Sequence, residues 1–436
     1  MTKFESPEPT GVLIRSEKDL DTNSAATPLN SEEFTNEASP PLMNLQDPLS
    51  SENKFHPQQH SPLRKRKRHL SAPPPAFVLD NAVENNSQGD WDPTSHVVSV
   101  DLGGSRLRVA LVSTKGAIVE NLEAPTPQDP KERVDVIVDR VIDVLTRARQ
   151  RELSVLGVGI STGGRVDVAR GCVLDATSLL KGWSGVELVQ SLKNTIASAG
   201  FTSVAKGSSS SSPSRVYQLP VFVDNDGNCA ALGESRWGAV RSEAGSMVVI
   251  ATGTGIGGGI ISDNGDLLRG SNYCGGELGH MVVCMENQED SACSCGYRGC
   301  LEAIASGSAL TRKAEQLIEA GELAKPEGGS SSAKALIDAA LAGNESAQRV
   351  VDRATSAMSV ACLNILHMLN PRHLVFTGHL ARVMVEPVKR FVEAHALKNA
   401  RNVEIYASKL ENPALMGAAS LVMEACQVAW LEQKNS

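Results

Sequence analysis

Four side chains of one glycine-rich stretch, His280, Cys293, Cys295 and Cys300, supply one imidazole and three thiols. That is the donor set of a closed tetrahedral structural zinc site. Gly296 and Gly299 fall between the last two cysteines, where the chain must bend tightly for both sulfurs to reach one ion. Ordinary thiols in a flexible loop and a disulfide are the competing readings. Three cysteines in eight residues behind a histidine argue against the first. The N-terminus shows no apolar h-region, so reduced thiols are expected, which argues against the second. Glu277 and Glu302 stand beside the loop, and two carboxylates next to an anchored imidazole suit the hydroxyls of a polar ligand such as a sugar.

Two further stretches suit phosphate. Val97–Val100 reads as a strand, Asp101-Leu-Gly-Gly-Ser105 as a tight turn and Arg106–Val112 as a returning strand. The tip of such a hairpin can lay backbone N–H groups and a hydroxyl against a phosphate, and Asp101 can hold a metal-bound water. Alone, it reads equally well as an ordinary turn. Met247–Ile250 enters Ala251-Thr-Gly-Thr-Gly-Ile-Gly-Gly-Gly259, which returns as a strand at Ile260. No helix follows that turn, so it is not a dinucleotide fingerprint. It reads as a second phosphate-cradling hairpin, with Thr252 and Thr254 adding hydroxyls.

Between the hairpins, the strand Pro220–Val223 runs into Asp224-Asn-Asp-Gly-Asn228. Helix capping explains one of these polar residues, and Asp226 is the expected general base. Another strand, Val155–Ile160, delivers Ser161-Thr-Gly-Gly-Arg-Val166 beyond its carboxyl end, where ligands of open α/β sheets bind. Gly163 and Gly164 permit close backbone approach and Arg165 offers donors, with a solvated surface turn as the alternative. Gly378, the exit of the strand Leu374–Thr377, offers backbone for a nucleotide base.

The elements that must position these groups read as α/β. Amphipathic helices are predicted over 131–151, 303–320, 333–342, 345–369, 383–396 and 413–429, with a strand at 403–407. A length of 436 residues leaves room for two domains. The net charge of -8 gives no electrostatic case for nucleic acid or a membrane surface. No apolar run reaches the roughly 18 residues a membrane span needs. Residues 1–95, rich in Ser, Pro, Asn, Glu and Gln, are expected to be disordered. Within them Arg64–Arg68 reads as a nuclear localisation signal, an anionic-partner patch or a merely solvated run, with Pro73–Pro75 following. No winged-helix DNA-binding domain is visible there. The serine run Ser208–Ser212 reads as a flexible insertion. His367, His373 and His379 read as packing or surface residues, and Cys172, Cys229, Cys274, Cys284, Cys362 and Cys426 as small apolar fillers.

In this order, Asp101-Leu-Gly-Gly-Ser105, Asp224-Asn-Asp226, Gly253-Thr-Gly-Ile-Gly257, Glu277-Leu-Gly-His280 and Cys293-x-Cys-Gly-x-x-Gly-Cys300-x-Glu302 resemble the ROK family of sugar kinases and repressors, over residues 96–430. Within it, Gly159–Val166 and Val223–Ala231 look most like N-acetylmannosamine kinases, the kinase half of a bifunctional UDP-N-acetylglucosamine 2-epimerase/kinase. The segment before residue 96 is too short for the epimerase half, so a kinase alone is expected. The resemblance implies the two-lobed actin-like ATPase (ribonuclease H-like) fold. Its small lobe would span 96–224 and its large lobe 225–412, with the zinc loop at 280–300 and the helix 413–430 returning to the first lobe.

By the same resemblance Asp226 would be the base. Gly164, Arg165, Thr177, Asn225, Glu277, His280 and Glu302 would bind the sugar. Asp101, Gly103, Gly104, Ser105, Arg108, Thr252, Gly253, Thr254, Gly255, Gly257 and Gly378 would hold ATP and its Mg2+, and a structural Zn2+ would sit on His280, Cys293, Cys295 and Cys300. Ser105 stands where the family usually has threonine, the spacer from His280 to Cys293 is longer than usual, and the serine insertion is unfamiliar. The reaction implied is ATP-dependent 6-phosphorylation of N-acetylmannosamine in sialic acid precursor metabolism, by a cytoplasmic homodimer or higher oligomer. A nuclear fraction is conceivable through Arg64–Arg68. The alternatives are a glucokinase or N-acetylglucosamine kinase, a non-catalytic sugar-sensing regulator, and an idle scaffold that reaches a nuclear partner through its basic tail.

Overall fold

The computed structural model describes residues 95–176, 178–205, 215–239, 245–285, 291–326 and 332–435. The expected disordered tail with Arg64–Arg68, the serine run Ser208–Ser212 and Thr177 lie outside the described residues. Among the described residues no helix is long and apolar enough to cross a membrane.

In the first half, β1 (His96–Leu102), β2 (Arg106–Ser113), β3 (Ile118–Pro125), α1 (Pro130–Gln150), β4 (Val155–Thr162), β5 (Arg165–Asp167), β6 (Cys172–Asp175), α2 (Leu188–Ser198), β7 (Thr202–Ala205), β8 (Arg215–Gln218) and β9 (Val221–Asn225) follow in order. Val97, Val98, Val100 and Leu102 of β1 are all fully buried, the near-continuous apolar run of a strand covered on both faces. The sheet order is β3-β2-β1-β4-β9. β2 is antiparallel to β1 and β3, whereas β4 is parallel to both β1 and β9. Register sets Asp101 beside Ser161 and Ser161 beside Asp224. Three loops, after β1, β4 and β9, therefore leave the sheet at one edge.

The second half repeats the scheme. Its elements are α3 (Asp226–Trp237), β10 (Met247–Thr252), β11 (Ile256–Ile261), α4 (Leu301–Ala305), α5 (Gly307–Glu319), α6 (Ala333–Leu341), α7 (Glu345–Leu369), β12 (His373–Thr377), α8 (Ala381–His395), β13 (Glu404–Ala407) and α9 (Pro413–Asn435). The sheet order is β11-β10-β12-β13, with an antiparallel hairpin β10–β11 and parallel neighbours β12 and β13. Again a glycine hairpin tip and the exit of a parallel strand share one edge.

Helix α9 joins the two sheets. Leu415, Ala419, Val422 and Met423 pack with Val97, Ala110 and Val112 of the first, while Ala418 and Leu421 pack with Val249 and Val375 of the second. The approach is so close that a Cβ on Gly417 would lie 1.6 Å from the Cys229 carbonyl oxygen of α3, and one on Gly159 of β4 would lie 1.8 Å from that of Ala418. Only glycine leaves room for such backbone contact.

Two expectations change. The helix predicted over 303–320 is broken into α4 and α5 at Ser306, whose extended backbone and hydroxyl, accepting from Ala309 N at 3.1 Å, start a new helix. The short hairpin β5–β6 escaped notice because three-residue strands carry almost no periodic signal.

Gly417→Ala forces α3 and α9 apart and is expected to destabilise the fold by about 1–3 kcal/mol, read from the denaturant midpoint. An unchanged midpoint would contradict this packing.

Candidate active site

Asp224, Asn225 and Asp226 each take a separate position. Asp224 is buried, with Oδ2 2.7 Å from Arg269 Nε and Oδ1 accepting from Asn225 N at 2.8 Å and Asn228 Nδ2 at 2.9 Å. Asn225 is the N-cap of α3, its Oδ1 accepting from Gly227 N at 2.8 Å and Asn228 N at 3.2 Å. Its Nδ2 donates to Gly164 O at 2.9 Å, so the cap also fixes the loop after β4. Asp226 accepts from Gly227 N at 2.8 Å, and among the described residues no cation is paired with it. Gly163 and Gly257 wall it in, since Cβ atoms there would come within 3.8 and 4.0 Å of its carboxylate oxygens. Burial, then the negative charge of Asp101, pushes its pKa up to about 6. A carboxylate poised there serves well as a general base.

The first hairpin is held from behind. Gly103 N donates to Arg106 O at 2.9 Å, Thr126 N to Ser105 O at 3.1 Å, and Thr126 Oγ1 to Gly103 O at 2.7 Å. Gly104 passes over Leu179. Asp101 accepts from Arg108 Nη1 at 3.2 Å and Ser161 Oγ at 3.2 Å, and burial holds it above the usual carboxylate range against the opposing pull of Arg108. Arg108 thus bonds the carboxylate beside the hairpin in this structure.

The second hairpin, Gly253–Gly255, is clamped by α5. Gly307 N donates to Gly253 O and Ser308 N to Thr254 O, each at 3.0 Å. Thr252 departs from expectation. It is fully buried and its hydroxyl donates to Thr377 O at 2.6 Å, so it ties β10 to β12 and is no phosphate donor. Gly378, at φ +87°, passes so close to Thr252 O that any side chain would collide.

The four sequence-predicted metal ligands come together, with one donor atom from each of His280, Cys293, Cys295 and Cys300 lying within 4.8 Å of the others. Cys295 Sγ is 3.8 Å from Cys300 Sγ, and Cys293 Sγ is 3.5 Å from His280 Nδ1. Sulfur and nitrogen donors about 2.0–2.3 Å from a zinc ion at tetrahedral angles sit roughly 3.5–3.8 Å apart. The cluster therefore fits that ion, with Nδ1 as the ligand atom. His280 Nε2 then faces Glu277, whose Oε2 is 3.9 Å away. Glu302, expected to face the sugar, places Oε2 on Ile256 N at 2.9 Å and Oε1 3.4 Å from Ser294 Oγ, linking the metal loop to the second hairpin.

Arg165 is also more engaged than expected. Its Nε and Nη2 donate to Asp175 Oδ2 at 2.9 and 2.5 Å, and its Nη1 lies 3.3 Å from Asn272 O and 3.4 Å from Cys274 Sγ. Cys274 is exposed beside that guanidinium, contrary to its reading as an apolar filler. Arg269 went unnoticed in the sequence, because nothing in the spacing of a lone arginine marks its ion pair.

Two like-ordered sheets, each offering a glycine hairpin at one edge, with half-buried Asp101 and Asp226 nearby, define an actin-like ATPase fold. Residues 97–202 and 210–425 match the ROK family, and the chain belongs to it. It is 32% identical over 339 residues to a glucokinase of Halalkalibacterium halodurans, covering 75% of this chain and 94% of that one. It is 25% identical over 339 residues to a xylose repressor of Caldicellulosiruptor bescii, covering 75% of this chain and 78% of that protein. Among solved structures, a ROK family glucokinase from Streptomyces griseus in complex with glucose and AMPPNP is similar at 26% identity and a TM-score of 0.60, over 76% of this chain and all of that one.

Two outcomes follow for Asp226. The acid limb of any turnover that uses it as base should have an apparent pKa near 6, with activity falling below that pH. Because the folded-state pKa lies above the unfolded value, stability falls as pH rises from about 4 to 6. Asp226→Asn should then stabilise the protein at pH 7.5 by about 1–3 kcal/mol, read as a higher melting temperature. A lower melting temperature would show that the carboxylate is not held at a cost. For the metal loop, Cys295→Ser should lower both sugar affinity and melting temperature, and a chelator should reproduce that loss in the parent protein.

Proposed function

We propose that this chain is an ATP-dependent sugar kinase that transfers phosphate to the 6-hydroxyl of glucose. The observation that carries the proposal is Asp226, a carboxylate without a cation partner among the described residues, raised to about 6 and set between Gly163 of the loop after β4 and Gly257 of β11. The glucokinase of H. halodurans and the glucose-bound glucokinase of S. griseus support glucose as the substrate.

The N-acetylmannosamine reading rested on Gly159–Val166 and Val223–Ala231. In the structure several residues of those stretches serve packing and capping. Gly159 admits α9, Asp224 holds Arg269, and Asn225 caps α3. Such positions say little about the substituent on the sugar's second carbon, and N-acetylmannosamine and N-acetylglucosamine become comparison substrates.

In the proposed reaction the 6-hydroxyl hydrogen-bonds to Asp226 and passes its proton to that carboxylate as the oxygen attacks the γ-phosphorus, with ADP leaving. Gly164, Asn225, Glu277, His280 and Glu302 line the sugar side, and Gly103–Ser105 with Gly253–Gly257 and Gly378 the nucleotide side. Mg2+ bound with the nucleotide would neutralise phosphate charge, with Asp101 placed to hold one of its waters. Zinc on His280 and the three cysteines would be structural, since protein fills all four positions. The two halves, 96–224 and 225–412, would act as lobes that close on the sugar, in a homodimer or larger assembly.

The likeness to a xylose repressor keeps a sugar-sensing regulator as the second reading. ADP release by the purified protein with Mg-ATP and glucose, N-acetylmannosamine or N-acetylglucosamine separates the two. The expected result is the highest kcat/KM on glucose, falling by at least about 10²-fold in Asp226→Asn. Sugar binding without turnover on any of the three would favour the regulator.

A further inference from the structure

Arg133 of α1 is 1% exposed and stands behind both substrate loops. Its Nε donates to Pro127 O and its Nη2 to Gln128 O, each at 3.1 Å. Those carbonyls belong to the segment that begins with Thr126, which bonds Gly103 and Ser105 of the first hairpin. The guanidinium also lies over the fully buried Trp183 ring, 4.9 Å from its centroid. Trp183 Nε1 donates to Thr162 Oγ1 at 2.9 Å. Thr162 is the last residue of β4, directly before Gly163 and Gly164, which border Asp226 and receive Asn225.

One cation therefore anchors two paths, one ending at the phosphate hairpin and the other at the loop beside the general base. Its Nη1 is buried without a partner among the described residues, and a buried unsatisfied donor costs about 1–3 kcal/mol. An apolar side chain of similar length would fill this space without that unsatisfied N–H. Cohesion of the core is thus a poor reason for an arginine here, whereas simultaneous reach to two carbonyls and an indole face is something only its planar fork provides.

We propose that Arg133 is a positioning residue that sets the nucleotide hairpin through Thr126 and the sugar loop through Trp183 and Thr162, so that binding of both substrates depends on it. This inference rests on the kinase reading above. Its test measures equilibrium binding of AMPPNP and of glucose separately by calorimetry, beside the melting temperature, for the full chain and four variants. Thr126→Val should weaken AMPPNP alone and Trp183→Phe glucose alone. Arg133→Met should weaken both by at least about five-fold, a modest loss for displaced binding groups, and Arg133→Lys should recover neither fully.

An Arg133→Met protein that melts lower yet binds both ligands within two-fold of the parent overturns the proposal. So does a Thr126→Val or Trp183→Phe protein that weakens both ligands equally. If Arg133→Met does not fold, the Thr126→Val and Trp183→Phe pair still decides, because each leaves the arginine in place. A parent chain that binds neither ligand sinks the kinase reading itself, an outcome distinct from either of these.

Discussion

A partly buried ion pair decides what Asp226 can be. Asp224 and Asp226 stand two residues apart at the end of one strand, and Arg269 approaches from the second half of the chain. Had its guanidinium settled on Asp226, the neighbouring positive charge would oppose the burial that raises that carboxyl and weaken it as a base. Arg269 is instead committed to Asp224, which the Asn225 amide and the Asn228 side chain also hold. At Asp226 burial and the neighbouring carboxylates, which raise its pKa, outweigh the backbone hydrogen bonds that lower it. Assignment of roles within Asp224-Asn-Asp226 is thus set by where one distant cation lands.

The second constraint is on backbone distance. Glycines admit the loop after β4 and the strand β11 to the two sides of Asp226, and they admit α9 against α3. The metal loop works through the same contact. Its Cys300 precedes α4, Glu302 on α4 holds Ile256 N, and Leu278 lies over Gly258. An ion on the four ligands would therefore stiffen the second hairpin through Glu302. That is a mechanical role, and it needs no open coordination position.

What was legible in the sequence was written in contiguous residue types. The metal ligands, both glycine hairpins and the strand ending in Asp224-Asn-Asp226 each occupy one short stretch, and the alternation of strand and helix gave the α/β class. What was not legible depends on partners far apart in the chain. Thr252 looked like a phosphate donor because its taker, the Thr377 carbonyl, lies on a strand 125 residues away. Arg165 looked free because Asp175 and the Asn272–Cys274 segment reach it only after folding. The break at Ser306 was hidden because the apolar period continues through it, while the capping hydroxyl is a local signal that periodicity does not record.

The segment before Glu277 adds a link between the halves. Tyr273 holds a left-handed backbone at φ +57°, costly for an aromatic residue. The adjoining Asn272 and Cys274 meet Arg165, so the segment is fastened to the β5–β6 hairpin of the first half. Gly275 and Gly276 then carry the chain directly into Glu277 and His280. Local strain at Tyr273 persists because contacts on both of its neighbours over-determine it.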